Sequence, residues 1–337
     1  MNKRALRADI LLLLTAGIWG FGFVAQRAGM EYVGPFAFNG IRFLLGSLSL
    51  VPLIIIRRKK SVQDSRPVPF SRGLILPSLM AGSVLFIAVM FQQIGIIFTT
   101  AGNAGFITGL YVVFTPIFGI FFGRKTGLAT WIGSVFTIIG LYFLSAVGRA
   151  GSINPGDIII FISAVFWTAH VLLIDRLMQD KVSRDPIKLS SGQFAVCGVY
   201  ALLGAFFIEP GISGFVEYID PSLIGEGLFS WQPFPVLAAS IGAGTTSFSV
   251  ESLIPILYGG FASVGIAYTL QVVAQRDAPP AHATIILCFE GCFAALGGVV
   301  ILAEKVGVWT MLGFVLMLAG MLVSQREVIV SGGKNIP

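Results

Sequence analysis

The sequence predicts an all-α integral membrane protein with ten transmembrane helices arranged as two inverted five-helix repeats. Three observations predict this class: the composition, ten apolar stretches of spanning length, and an internal repeat. Of the 337 residues, 55% are hydrophobic and 11% charged, and the mean hydropathy is +0.89. Soluble domains carry about 25% charged residues. This composition therefore excludes a soluble globular enzyme, and it excludes a disordered chain, which would be poor in hydrophobic residues.

Ten apolar stretches are long enough to cross a bilayer as helices of about 20 residues. The first follows a basic N-terminus and resembles a secretory signal. It is long enough to span, however, and it has a counterpart in the second half of the chain, so we expect an uncleaved first helix. The stretches lie near residues 9–28, 35–56, 73–97, 101–122, 127–146, 156–178, 187–208, 253–275, 279–302 and 307–325.

Lysine and arginine residues indicate the orientation, because they accumulate in cytoplasmic loops. With the N-terminus in the cytoplasm, ten spans place 18 of the 22 basic residues on the cytoplasmic side. We therefore expect a multi-pass protein of the cytoplasmic (inner) membrane with both termini cytoplasmic. The net charge of +6 follows from this asymmetry, and no basic soluble patch predicts nucleic-acid binding.

The two halves of the chain share matches that occur in the same order. Asp9 and Trp19 correspond to Asp157 and Trp167, and Arg42 corresponds to Gln193. The segments 125–140 and 305–320 share a Lys-x-Gly start and two later glycines. Since each half has an odd number of spans, the second half enters the membrane from the opposite side. Inverted repeats are typical of secondary transporters, which bind substrate near the midplane where the repeats meet.

The predicted boundaries follow from this repeat. The first repeat covers residues 1–147 and the second covers 148–330, followed by a short tail, 331–337. The second repeat contains an insertion at 209–252 with five acidic residues and no lysine or arginine. This insertion is expected outside the membrane, either as a tolerated loop or as a segment that covers the outer mouth.

Several motifs of the chain are similar to those of a known family. They are Trp19-Gly20 with Phe23, Arg42-Phe43, residues 99–116, Ala281 to Glu290 followed by Ala303-Glu304, and the glycines Gly313 and Gly320. These motifs resemble the EamA-type members of the drug/metabolite transporter superfamily, over nearly the whole chain except the insertion. Gly291 departs from the pattern because it replaces a proline, which puts any kink there in doubt. The resemblance implies a ten-helix transporter of small metabolites.

Ionisable groups within membrane spans are costly and are candidates for function. Glu290, halfway through the ninth stretch, is expected either to bind a cationic group or a proton, or to hold helices together as a neutral acid. Arg42 is expected either to bind a carboxylate through two hydrogen bonds, or to reach the interface and tie a helix end. His170 is expected either to gate or carry protons, or to be a packing or hydrogen-bonding residue.

Other candidates line the same predicted path. The repeat-related Trp19 and Trp167 are expected either to face one cavity from two sides or to pack between helices. One or two of the polar residues in the spans are expected to line the path, and the others to join helices. The polar residues are Asn103, Gln92, Gln93, Gln193, Tyr111, Tyr268 and Gln271, and the site candidates among them are Asn103, Tyr111 and Gln193.

We therefore expect a secondary transporter, with export as the expected direction, that moves small amino-acid-like or drug-like solutes by alternating access. The expected partners are a small-molecule substrate and the lipid bilayer, with protons as a candidate coupling ion and a homodimer as a candidate assembly. No metal or cofactor motif is found in the sequence. Two alternatives remain at this point: an intramembrane enzyme acting on lipid with His170 and Glu290 as an acid–base pair, and a non-transporting scaffold.

Overall fold

The computed structural model describes residues 3–63, 72–120, 127–145, 154–179, 185–209, 250–278 and 280–324. Most of the predicted insertion at 209–252 and the whole predicted tail at 331–337 lie outside these residues. Within them the secondary structure is helical. The α-helices are α1 Lys3–Gly29, α2 Pro35–Gln63, α3 Ile75–Gly95, α4 Ala101–Thr108, α5 Tyr111–Gly119, α6 Leu128–Ser145, α7 Pro155–Gln179, α8 Pro186–Phe207, α9 Val250–Leu257, α10 Thr269–Ala274, α11 Pro280–Leu287, α12 Glu290–Ile301 and α13 Val308–Ser324.

These helices form ten spans, which confirms the predicted number. Eight segments are long and apolar enough to cross a membrane, and the apolar parts of α6 and α13 are shorter. Three spans are composite. The fourth consists of α4 and α5, and the ninth of α11 and α12. The eighth joins α9 to α10 through a π-helix, Tyr258–Tyr268.

The packing of the spans repeats with two-fold regularity. The helix α1 packs on the π-helix and α12, while its counterpart α7 packs on α3 and α4. The pairs α2 with α8, α4 with α12 and α6 with α13 each join a span to its own counterpart. This is the contact pattern of two inverted five-helix repeats, as the sequence predicts.

The repeated glycines meet each other where α6 crosses α13. A Cβ atom added to Gly140 would lie 2.8 Å from the carbonyl oxygen of Gly313. One added to Gly320 would lie 2.6 Å from the carbonyl oxygen of Gly133. Such separations are too short for a side chain, so these positions let the two backbones approach closely. The glycine pattern that relates the halves in sequence is therefore a reciprocal contact in the fold.

Glu304 caps the start of α4 from the other repeat. Its Oε1 accepts a hydrogen bond from the backbone N–H of Ala101 at 2.7 Å, and its Oε2 accepts one from Gly102 at 3.3 Å. The first N–H groups of a helix have no partner within the helix, and a negative charge is favourable there. The acidic residue of the Ala303-Glu304 motif thus joins the ninth span to the fourth.

Ala303 adopts a backbone conformation that is unfavourable for alanine. Its φ is 53°, the only positive value for a non-glycine residue in the described chain. The left-handed region costs an L-residue roughly 1–2 kcal/mol, and this cost exceeds the extra unfolded-state entropy of glycine. We expect Ala303→Gly to raise the melting temperature in detergent, whereas Ala295→Gly, inside α12, should lower it. A fall for Ala303→Gly would contradict the expectation.

Glu209 makes a second cap of the same kind. It follows the end of α8, is 2% exposed, and its Oε2 accepts a hydrogen bond from the backbone N–H of Ala37 in the first turn of α2, at 3.0 Å. This contact also joins the second repeat to the first. The two caps lie where α2 and α4 begin, which is one end of the bundle.

The burial of Glu209 predicts a pH dependence of stability. Burial raises the pKa of this carboxyl group to about 7, although the backbone N–H groups of Ala37 and Phe36 lower it in part. The folded protein therefore holds the proton more tightly than the unfolded chain, where the pKa of glutamate is about 4.3. The corresponding stabilisation is complete below that value and is lost as the pH rises to about 7.

We accordingly expect the melting temperature in detergent to fall between pH 5 and pH 7.5, and Glu209→Gln to reduce this fall. Glu31→Gln, at an exposed position, is the control. Identical pH profiles for the wild type and the Glu209 variant would contradict the expectation.

Candidate functional site

The fourth and ninth spans are interrupted at corresponding positions. The helix α4 ends at Thr108 and α5 begins at Tyr111, while α11 ends at Leu287 and α12 begins at Glu290. Each interruption is a tight turn with backbone bonds three residues apart, such as Leu110 N–H to Ile107 O at 3.1 Å. Gly291 stands where the family pattern has a proline. The ninth span is therefore interrupted without a proline at that position. Paired interruptions in two repeats are the mark of a transporter binding site.

A cavity lies between the two interruptions. It is narrow, with a volume of about 30 Å³. Both repeats contribute to its wall. The lining residues are Trp19, Phe23, Gln26, Arg42, Gln92, Thr108, Tyr111, Trp167, Val171, Ser263, Tyr268, Gln271, Leu287 and Glu290.

Three aromatic side chains form one side of this cavity. The ring centroids of Trp19 and Tyr268 are 4.5 Å apart, those of Trp167 and Tyr268 are 5.8 Å apart, and those of the two tryptophans are 6.4 Å apart. Trp19 Nε1 donates to the carbonyl oxygen of Ser263 at 3.2 Å, and Trp167 Nε1 donates to Gln92 Oε1 at 2.8 Å. The repeat-related tryptophans are therefore held by the eighth and third spans, which are themselves counterparts.

A chain of polar side chains runs from Arg42 to Trp167. Arg42 Nε donates to Asn39 Oδ1 at 2.7 Å, and its Nη2 donates to Gln26 Oε1 at 3.3 Å. Gln26 Oε1 also accepts from Gln92 Nε2 at 3.0 Å. Gln92 in turn holds Trp167. The chain links α2 and α1 of the first repeat through α3 to α7 of the second.

Arg42 is buried within the bundle rather than extended to the interface. It is 1% exposed. Its guanidinium carbon lies 5.5 Å from the ring centroid of Phe38 and 5.0 Å from that of Phe43. The structure therefore places Arg42 in the cavity and not at the interface, which was the second of the two expectations for this residue. Carboxylate binding, the first expectation, stays a prediction.

Two cavity groups form no hydrogen bond of standard geometry with a described residue, although they lie close enough to interact with each other. They are the Tyr111 hydroxyl and Glu290 Oε1, and both residues are nearly completely buried. Each residue is the first of a half-helix at an interruption. Buried polar atoms nearly always have a partner, so two unsatisfied groups on the wall of one cavity are suited to a ligand.

Three of the sequence candidates lie outside the cavity lining. His170 Nε2 bonds to Gln193 Oε1 at 2.9 Å, which joins α7 to α8. Asn103 lies in the first turn of α4, where its backbone N–H donates to the Thr100 hydroxyl at 3.1 Å. No hydrogen bond joins His170 to Glu290 in the described chain, so the acid–base pair of the enzyme alternative is not formed.

Two side chains that bond to Arg42 were not predicted from the sequence. Gln26 lies near the end of the first predicted span, where a polar residue needs no explanation. Asn39 lies three residues before Arg42, and this spacing puts both on one helix face, so it could have been found. In the described residues, no group of three or more His, Cys, Asp and Glu approaches closely enough to hold a metal ion.

The comparison with known families decides the identity. The sequence matches the EamA-like transporter family over residues 6–146 and again over residues 154–325. The chain belongs to the EamA-like transporter family. The two matches correspond to the two repeats of the fold. This EamA-like protein is thus a multi-pass membrane transporter, in agreement with the predicted class and resemblance.

The relatives are also transporters by name. The chain is 28% identical to an uncharacterized transporter of Archaeoglobus fulgidus over 335 residues, which covers 96% of this chain and 87% of the relative. It is 26% identical to an uncharacterized inner membrane transporter, YedA, of Escherichia coli (strain K12), covering 72% and 78%. A solved crystal structure superposes with a TM-score of 0.61 at 14% identity, covering 98% of this chain and 99% of that one. This structural likeness concerns the fold.

Proposed function

We propose that this EamA-like protein is a secondary transporter that exports small amino-acid-like or drug-like solutes from the cytoplasm by alternating access. The observation that carries the proposal is the cavity between the paired interruptions, lined by both repeats. Its unsatisfied Tyr111 and Glu290 groups and its aromatic wall suit a small solute with polar and apolar parts. A solute gradient or a proton gradient supplies the energy.

In the proposed orientation, the protein lies in the inner membrane and both termini are in the cytoplasm. It is supported by the distribution of the basic residues. The starts of α2 and α4 are then external, and so are the caps by Glu209 and Glu304. These contacts hold the two repeats, proposed as residues 1–147 and 148–330, together at the outer end. An outward-open state requires that they separate.

The transport proposal is tested with proteoliposomes. Purified protein is reconstituted, and vesicles are loaded with a defined mixture of amino acids, amines and organic acids. We expect saturable release of a subset of these solutes, measured by mass spectrometry, that protein-free vesicles do not show. A change in the rate of release under an imposed pH gradient identifies proton coupling. Adding the solutes outside the vesicles instead measures transport in the opposite direction. Equal release with and without protein for every solute would overturn the proposal.

A further inference from the structure

The Arg42 guanidinium is a buried cation without an acidic partner. Among the described residues, no carboxylate forms an ion pair with Arg42. A buried charge is costly unless it is paired. The partners that Arg42 does have are neutral: the amide oxygens of Asn39 and Gln26, and the faces of two phenylalanine rings. These contacts orient the guanidinium but do not neutralise it.

The contacts of Arg42 leave part of its hydrogen-bonding capacity free. A guanidinium has five N–H donors. Nε and Nη2 each make one bond, to Asn39 and to Gln26, and Nη1 makes none to any described residue. Since Arg42 lines the cavity, an oriented donor pair is available to whatever enters. Planar guanidinium groups bind carboxylates through two parallel hydrogen bonds.

The charge of the cavity limits the anion that it can take. Arg42 is the only lysine, arginine or histidine among the lining residues that the structure describes. One positive charge balances a monoanion, whereas a phosphate dianion would leave a buried excess of negative charge. The carboxyl group of Glu290, which also lines the cavity, adds to this bias. The remaining lining is aromatic and aliphatic, which suits a small organic body.

We propose that the transported solute carries a carboxylate group and that Arg42 is the residue that binds it. The carboxylate accepts hydrogen bonds from Nη1 and Nη2, and the apolar part of the solute packs on Trp19, Trp167 and Tyr268. The unsatisfied Tyr111 and Glu290 groups lie beyond and are available to a second polar group, such as an amine. This inference rests on the proposed transport function, because it names the chemistry of the solute.

Direct binding tests this proposal without transport. The probes are the straight-chain carboxylates from acetate to octanoate, their primary amides, the matching amines, and the corresponding α-amino acids. Binding is measured as the concentration-dependent rise in melting temperature of the purified protein. We expect at least one carboxylate or amino acid to bind at least tenfold more tightly than its amide. Equal affinity for amides, or no binding by any carboxylate-bearing probe, would overturn the proposal.

Variants then assign the contact to Arg42. Arg42→Gln should lose at least tenfold in affinity for the carboxylate, and Arg42→Lys should lose less. Arg57→Gln, an exposed arginine on the same helix, should change nothing. Unchanged carboxylate binding by folded Arg42→Gln would overturn the assignment. If Arg42→Gln does not fold, the comparison of carboxylate with amide on the wild type still decides whether the protein recognises a carboxylate.

The same titrations distinguish two kinds of carboxylate. If Glu290→Gln weakens the α-amino acid but not the simple carboxylate, the solute also carries an amine that Glu290 binds. If both probes bind that variant as tightly as they bind the wild type, the carboxylate alone is recognised. Both of these results agree with a carboxylate bound by Arg42. Failure here is distinct from failure of the transport function. Vesicles that release amines or neutral solutes, while carboxylates neither bind nor move, would preserve transport and overturn the carboxylate assignment.

Discussion

Glu290→Gln is expected to reduce solute flux in proteoliposomes by about tenfold or more while leaving the protein folded. Glutamine preserves the size of the side chain but removes its charge and its ability to exchange a proton. Losing a charge-assisted hydrogen bond costs roughly 1.5–3 kcal/mol, and about 1.4 kcal/mol corresponds to a factor of ten. Glu290 Oε1 lies near the Tyr111 hydroxyl without forming a hydrogen bond of standard geometry, so this loss should appear mainly in solute handling rather than in stability.

The measurement is the initial rate of release of the solute that the wild type moves best, alongside the melting temperature. Glu31→Gln makes the same chemical change at an exposed position and should retain the full rate. Trp19→Ala, which changes another lining residue of the cavity, should also reduce flux. Wild-type rates for both Glu290→Gln and Trp19→Ala would show that the cavity is not the path.

Gly20→Ala is expected to destabilise the protein by about 1–3 kcal/mol, the usual cost of overpacking, and to reduce flux with it. An added Cβ would lie 2.8 Å from the carbonyl oxygen of Glu290 and 2.9 Å from the backbone nitrogen of Ala294. Backbone atoms of a packed helix cannot move aside as the end of a side chain can. The change must therefore separate α1 from α12, the half-helix that positions Glu290.

Gly17→Ala provides the matched control, one turn earlier on the same helix. A Cβ added at Gly17 meets no atom within 4 Å, and alanine is the better helix former by roughly 0.5–1 kcal/mol. We expect its melting temperature to equal or exceed that of the wild type. The opposite signs of the two glycine substitutions are the prediction, and equal shifts would show that the close crossing at Gly20 does not hold the ninth span.

The fold could be predicted from sequence to a large extent, because the membrane limits the alternatives. Backbone groups in lipid must be satisfied internally, so an apolar stretch of about 20 residues becomes a helix. The repeat of Trp19 at Trp167 and of Gly133 at Gly313 then indicated the symmetry. The interruptions at 109–110 and 288–289 could not be predicted, since no proline marks either turn and the composition does not change there.

The site was predicted in part. Trp19, Arg42, Tyr111, Trp167 and Glu290 line the cavity together, as expected from their rarity or their repeat relation. His170 and Gln193 bond to each other instead, a pairing across two helices that spacing within one helix cannot reveal. The position of Asn103 at a helix start depends on where α4 begins. The periodicity of a span indicates which residues share a face, but not which neighbour that face meets.

Thr108→Cys tests whether this cavity is exposed alternately to the two sides of the membrane. The Thr108 hydroxyl lines the cavity and has no hydrogen-bond partner among the described residues, so the substitution removes no hydrogen bond seen in the structure. The background lacks the native cysteines Cys197, Cys288 and Cys292, and oriented vesicles are treated with a membrane-impermeant thiol reagent on either side. We predict labelling from both sides, with transported solute slowing both reactions. Labelling from one side only, or from neither, with solute without effect, would contradict alternating access through this cavity.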